Sequence, residues 1–167
     1  MTVTDVRKDP STCSMEVISE FDAPIDAVWQ MWADPRRLER WWGPPTYPAT
    51  FVDHDLTAGG RVTYFLTGPE GDTHHGWWKV IAVAAPDRLE VEDGFADEHG
   101  VPNLEMPVTR MVVTLEAVAE DRTRMTMAST FPSVDAMEQM IAMGMEEGIK
   151  EALGQIDALL GLAADAG

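Results

Sequence analysis

Apolar and polar residues alternate along much of the chain, in short runs that are typical of half-buried β-strands. The first clear run begins at Cys13, and its odd-numbered residues face the predicted core. Short turns rich in Gly, Pro and Asp separate the later runs, which favours consecutive antiparallel strands in a single sheet. The pattern predicts seven strands, at residues 13–21, 47–56, 61–66, 75–83, 89–95, 108–117 and 123–131.

Helical spacing replaces this alternation in three places. Asp22-Ala23-Pro24 and then Asp34-Pro35 each begin a short helix directly after the first strand, because proline suits the first turn of a helix. A third segment, from Ser133 to Gly161, carries apolar residues on one side and charged residues on the other. The pattern predicts that it forms one long amphipathic helix packed on the sheet.

Two glycines, Gly144 and Gly148, lie one turn apart on the buried side of this predicted helix. Each glycine costs a helix interior about 1 kcal/mol relative to alanine, so the sequence accepts a weaker helix here. One interpretation is close contact between helix and sheet. The other is that the missing side chains leave room for a ligand beneath the helix.

Length and composition are those of one domain, since 167 residues with 45% hydrophobic content can bury a substantial core. We expect a flexible arm over residues 1–11, the domain over 12–163 and a short tail over 164–167. A formal net charge of −17 argues against a nucleic-acid partner. The chain has neither a signal-like apolar segment nor an apolar run long enough to span a membrane, so we expect a cytoplasmic protein without membrane insertion.

Several short motifs together resemble one family along nearly the whole chain. They are Phe21-Asp22-Ala23-Pro24 with Val28-Trp29 and Asp34-Pro35, Trp41-Trp42-Gly43-Pro44, Asp55-Leu56 before Gly59-Gly60-Arg61, Pro86 with Arg88-Leu89, Thr123-Arg124-Met125, and the terminal helix with its two glycines. The chain resembles the bacterial proteins similar to activator of the heat-shock protein 90 ATPase. These belong to the START-like superfamily, also called SRPBCC.

The resemblance implies an α+β helix-grip fold, in which a curved antiparallel sheet of about seven strands holds the C-terminal helix and encloses an apolar cavity. Strand alternation and helix spacing nominate the inward side chains that would line this cavity. Trp41 belongs to a rigid corner before Gly43-Pro44-Pro45, where it or Trp42 forms the lip of the cavity or anchors the corner. The predicted ligand-binding residues are Trp41, Tyr64, Leu66, Trp78, Phe95, Met111, Val113, Met127, Ile141 and Met145, with Val91 as a further inward position.

Few polar residues suggest catalysis or metal binding. Asp53 and Asp55 would point to one side of a strand and His54 to the other, while His74-His75 resembles a solvated pair. We therefore expect no metal site, no cofactor and no catalytic residue. Cys13, the only cysteine, is expected to be buried and unreactive on the first strand.

The resemblance leaves three functions open. The first is binding of a small apolar or aromatic molecule without catalysis. The second is an enzyme of the cyclase, aromatase or hydrolase kind, which needs a cavity acid or base such as Asp93, Glu105, His54 or His75. The third is a co-chaperone interaction, which the family name suggests. We also expect a homodimer that uses Phe65 and Val112, on neighbouring strands of the outer face of the sheet.

Overall fold

In its described residues, a computed structural model of the chain has eight antiparallel strands, two short helices after the second strand and three C-terminal helical segments. It describes residues 3–166, with side chains for residues 3–161. The strands are β1 (Val3–Asp9), β2 (Ser14–Phe21), β3 (Ala49–His54), β4 (Arg61–Thr67), β5 (Thr73–Ala84), β6 (Arg88–Ala96), β7 (Thr109–Ala119) and β8 (Arg122–Thr130). The helices are α1 (Ile25–Ala33), α2 (Pro35–Leu38), α3 (Val134–Ala142), α4 (Met145–Gly154) and α5 (Ile156–Ala166).

The strands form one curved sheet in the order β1-β2-β8-β7-β6-β5-β4-β3, so the chain's first half and last half meet at the β2–β8 pair. Along β2, Met15, Val17 and Phe21 are buried while their neighbours are part-exposed. The predicted α+β fold with a curved antiparallel sheet is confirmed. Each of the seven predicted strands is present, as β2 to β8, with ends that differ from the prediction by a few residues.

The flexible arm predicted for residues 1–11 is wrong for Val3–Asp9, which pair with β2 and add an eighth strand at the sheet edge. Only Val3 and Val6 of this strand pack against the core, so its apolar alternation is weak. Backbone hydrogen bonds rather than burial hold it, and periodicity cannot reveal such a strand. Cys13, expected on the first strand, instead lies in the turn before β2 with φ of 53°.

The single long C-terminal helix is also corrected, because two interruptions divide it into α3, α4 and α5. Gly144 adopts the left-handed conformation, with φ of 91°, and separates α3 from α4. This is a conformation that glycine adopts without the steric cost of a Cβ atom. Gln155 marks the second interruption. The helical backbone continues to Ala166, so residues 164–166 are not the tail predicted there; residue 167 lies outside the described part.

The short helices after β2 close one end of the sheet around a tryptophan-rich core. Trp32 of α1 is fully buried and meets Trp41 edge to face, with ring centroids 4.7 Å apart. Asp34 begins α2 as predicted, since its side chain accepts a hydrogen bond from the backbone N–H of Arg36. This packing fixes the corner that follows α2.

The predicted dimer patch needs a correction, because Phe65 lies on β4 and Val112 on β7, with β5 and β6 between them. The two side chains therefore do not form the neighbouring-strand patch that we expected. Dimerisation itself stays a prediction. Within the described residues, no helix has the length and apolar character needed to cross a membrane.

Candidate functional site

A cavity of about 550 Å³ lies between the inner face of the sheet and helix α4. Aromatic, methionine and other apolar side chains supply most of its wall, with a few polar groups among them. The lining residues are Trp41, Trp42, Pro44, Tyr47, Tyr64, Leu66, His74, His75, Asp93, Gly94, Phe95, Thr109, Met111, Met127, Ser129, Met140, Met143, Gly144, Met145, Gly148, Ile149, Ala152 and Leu153. Met143, Gly144 and His74 are exposed, so they mark the mouth of the cavity.

Helix α4 presents one stripe to this cavity, formed by Met145, Gly148, Ile149 and Ala152 at helical spacing. A Cβ atom added at Gly148 would have no neighbouring atom within 4 Å. The glycine therefore borders open space, and close packing of helix against sheet does not explain it. Lys8 of β1 holds the start of α4 through an ion pair with Glu146, with 2.6 Å between the charged atoms.

The corner after α2 is both anchored and exposed to the cavity. Trp41 is buried, and its indole N–H donates a hydrogen bond to the carbonyl oxygen of Met31 at 2.9 Å. Trp42 is part-buried and packs edge-on against Trp78 and Tyr64. Both Trp41 and Trp42 line the cavity, so the two predicted roles of this corner occur together. Gln155 fixes the corner by donating to the carbonyl oxygens of Trp41 and Gly43.

A tyrosine and an aspartic acid form the most distinctive polar feature of the cavity. Tyr64 on β4 lies directly opposite Gly76 on β5, and its hydroxyl donates to Asp93 Oδ1 on β6 at 3.0 Å. A Cβ atom at Gly76 would overlap Cζ and Oη of Tyr64. The absence of a side chain on Gly76 therefore allows the Tyr64 ring to cross β5 and reach the next strand.

Burial raises the pKa of Asp93 from its ordinary value of 3.8 to about 7. The hydrogen bond from Tyr64 opposes this rise, as does the indole of Trp78, which lies directly opposite Asp93 on β5. The Trp78 Nε1 atom has no well-formed hydrogen bond to any described residue. Burial, followed by the charge of Asp93, raises the pKa of Tyr64 well above its usual value. At neutral pH the Asp93 carboxyl is thus divided between its neutral and ionised forms.

Seven of the ten predicted ligand-binding residues line the cavity, namely Trp41, Tyr64, Leu66, Phe95, Met111, Met127 and Met145. Trp78, Val113 and the further position Val91 face the same way but are fully buried in the core below it. Ile141 packs against the core from α3 and does not line the cavity. Whether any of these residues binds a ligand stays a prediction.

Two of the four candidate acids and bases lie in the cavity wall, and two lie elsewhere. Asp93 and His75 line the cavity, whereas His54 and Glu105 do not. His54 instead contacts the carbonyl oxygen of Trp32, with 3.1 Å between the atoms. Among the described residues, no group of three or more His, Cys, Asp or Glu side chains is placed to hold a metal ion. The sequence pattern did not indicate the contact between Tyr64 and Asp93. The feature that allows it is Gly76 on β5, the strand between them, and a single glycine in a predicted strand does not reveal such a contact.

Comparisons with known proteins agree with this geometry. A family model described as "Activator of Hsp90 ATPase homolog 1-like protein" matches residues 22–161. A protein from Arthrobacter aurescens is 54% identical, with 96% of this chain and 92% of that chain covered and a TM-score of 0.91. Protein Ms6760 from Mycobacterium smegmatis is 48% identical, with 95% and 96% of the two chains covered and a TM-score of 0.87.

A protein from Staphylococcus epidermidis is more distant, at 28% identity, yet 96% of this chain and 95% of that chain are covered with a TM-score of 0.83. No curated protein matches the chain. The same fold therefore recurs in bacterial proteins of quite different sequence.

Proposed function

The chain belongs to the family of Activator of Hsp90 ATPase homolog 1-like proteins, within the SRPBCC superfamily, and from that premise we propose that it binds a small hydrophobic molecule. The binding site is the cavity between the sheet and α4. Members of this fold class commonly bind hydrophobic ligands, but the fold alone does not select a function. The proposal therefore depends on the cavity of this particular chain.

One observation carries the proposal, namely the open space that faces the α4 stripe. The cavity volume of about 550 Å³ lies within the range of about 300–1,000 Å³ that is common for small-molecule sites. Methionine side chains supply several parts of the wall, and their flexibility lets such a wall adapt to a ligand's shape. Tryptophan and tyrosine rings supply flat apolar surfaces for an aromatic or aliphatic body.

A neutral fluorescent probe, N-phenyl-1-naphthylamine, tests this proposal when its emission is titrated against the protein. We expect saturable binding that Gly148→Phe abolishes, because the new ring enters the cavity. Glu147→Phe is the matched control, since residue 147 is exposed and lies next to Gly148 on the same helix. Equal probe binding by both variants, or no saturable binding by the unmodified protein, would contradict the proposal.

A second candidate function is acid–base catalysis on a bound molecule, and the observation that favours it is Asp93. A cavity carboxyl with a pKa of about 7 can both accept and return a proton near neutral pH. The Tyr64 hydroxyl would position that carboxyl. Compounds found to bind can be screened for turnover by the unmodified protein and by Asp93→Asn. Turnover that persists in the Asp93→Asn variant would exclude this role for the carboxyl.

A further inference from the structure

We propose that the Tyr64–Asp93 pair selects ligands that are mostly apolar but carry one hydrogen-bond donor, an ammonium or a hydroxyl group, at the end that meets Asp93. This inference rests on the proposed function and specifies the chemistry of the ligand. It concerns Asp93, which is the one carboxyl group among the described residues of the cavity wall, and the groups around it on the neighbouring strands.

Hydrogen bonding within the protein leaves Asp93 able to accept from a ligand. Tyr64 donates to Oδ1, so that oxygen is held in place. The Trp78 indole N–H also faces this carboxyl without forming a well-formed hydrogen bond, so Tyr64 is the one well-formed donor to Asp93 among the described residues. Asp93 itself lines the cavity. A bound molecule with an N–H or O–H group can supply the missing donor, and a buried acceptor gains from being paired.

The charges around the cavity also favour a donor group over an anionic group in the ligand. Among the described residues that line it, none is Lys or Arg, so an anionic ligand would find no fixed positive partner beside Asp93. The other titratable groups of the wall are Tyr64, Tyr47, His74 and His75, and the two histidines belong to the start of β5 at the mouth. The net charge of −17 also disfavours anions.

Aromatic rings make the same end of the cavity suitable for an ammonium group. The rings of Trp42 and Tyr64 pack edge to face, with centroids 5.8 Å apart, and Phe95 also lines the cavity. A cation near such ring faces is attracted by their electron density, and an adjacent carboxylate adds to that attraction. A hydroxyl group needs only the acceptor oxygen.

A matched series of biphenyl compounds tests the inference by calorimetry at pH 8 and pH 6. The series comprises biphenyl-4-ylmethylamine, 4-hydroxybiphenyl, 4-methoxybiphenyl and biphenyl-4-carboxylate. We expect the amine and the hydroxyl compound to bind about tenfold more tightly than the methoxy compound at pH 8, with the carboxylate weakest. The amine should bind more tightly at pH 8 than at pH 6, because Asp93 is more ionised, whereas the hydroxyl compound should change less.

Two variants identify the group responsible. Asp93→Leu should reduce both donor compounds to the affinity of the methoxy compound, and Asp93→Asn should weaken the amine while largely retaining the hydroxyl compound. Glu92→Gln removes the same charge from the neighbouring residue on the other face of β6 and should change nothing. Near-ultraviolet circular dichroism establishes that each variant is folded.

The possible outcomes separate this inference from the proposed function. If the methoxy compound binds as tightly as the donor compounds, or Asp93→Leu keeps the preference for donors, the inference is wrong while hydrophobic binding stands. Tightest binding by the carboxylate would also overturn it. If no member of the series binds, the proposed function fails as well.

Discussion

Replacing Gly148 by alanine is the most direct test of the space beneath α4. The new methyl group meets no atom within 4 Å, so it adds no clash. Alanine is favoured over glycine in a helix interior by about 1 kcal/mol. We therefore expect Gly148→Ala to raise the free energy of unfolding by about that amount, which corresponds to about 2–4 °C in Tm for a domain of this size. Thermal melting followed by circular dichroism measures the change.

Two other glycines provide controls for this prediction. Gly154 also has open space around it but does not line the cavity, so Gly154→Ala should not weaken probe binding, whereas Gly148→Ala should. Gly144 has open space too, yet its φ of 91° is left-handed, and Gly144→Ala should destabilise by about 1–2 kcal/mol. A drop of several degrees in the Tm of Gly148→Ala would mean that α4 packs tightly against the sheet, which would refute the reasoning.

Three further substitutions test other parts of the site. Gly76→Ala should cost about 1–3 kcal/mol of stability and raise the pKa of Asp93 measured by carboxyl NMR, because the methyl displaces Tyr64; an unchanged pKa would contradict this. Between about pH 4 and pH 7, the Asp93 carboxyl is ionised in the unfolded chain but still partly protonated in the folded protein. This group therefore lowers the free energy of unfolding as the pH rises. In urea titrations at several pH values, Asp93→Asn should not show that decline in the free energy of unfolding. A pH profile identical to that of the unmodified protein would contradict this role of Asp93. Gln155→Ala should lower the free energy of unfolding by about 1–2 kcal/mol, because it removes two hydrogen bonds to the tryptophan corner. Gln139→Ala, at an exposed position, is the control, and equal melting temperatures of the two variants would contradict the role of Gln155.

Strand alternation predicted the side of the sheet on which a residue lies, but not its depth. Tyr64 and Trp78 were both assigned to the inner face, and both point there. Only Tyr64 reaches the cavity, because Trp78 lies beneath the rings of Trp42 and Tyr64. The depth at which an inward side chain lies depends on the curvature of the sheet and on the elements that cover it. Strand alternation reports only the face of the sheet, so it predicts neither.

The interrupted helix and the polar pair were missed for different reasons. Gly144 and Gly148 look alike in the sequence, yet one adopts a left-handed conformation and the other continues a helix. Tertiary contacts decide between those states. The meeting of Tyr64 with Asp93 depends on strand register, which brings Gly76 between them. Register follows from turns and bulges as well as from apolar alternation, so sequence periodicity alone cannot supply it.

The division of the C-terminal helix makes access to the cavity separable from the stability of the fold. Helix α3 keeps Met137 buried and α5 keeps Ile156 buried, so both neighbouring segments are tied to the core. Helix α4 is tied to the tryptophan corner by hydrogen bonds at its Gln155 end, whereas its other end begins at exposed Gly144 and is held to β1 by the Lys8–Glu146 ion pair. We expect a change of backbone torsion at that glycine to widen the mouth at the expense of the Lys8–Glu146 ion pair and of the hydrogen bonds that Gly144 itself makes. An unbroken helix would have to lift or bend as one body, at the expense of its buried contacts.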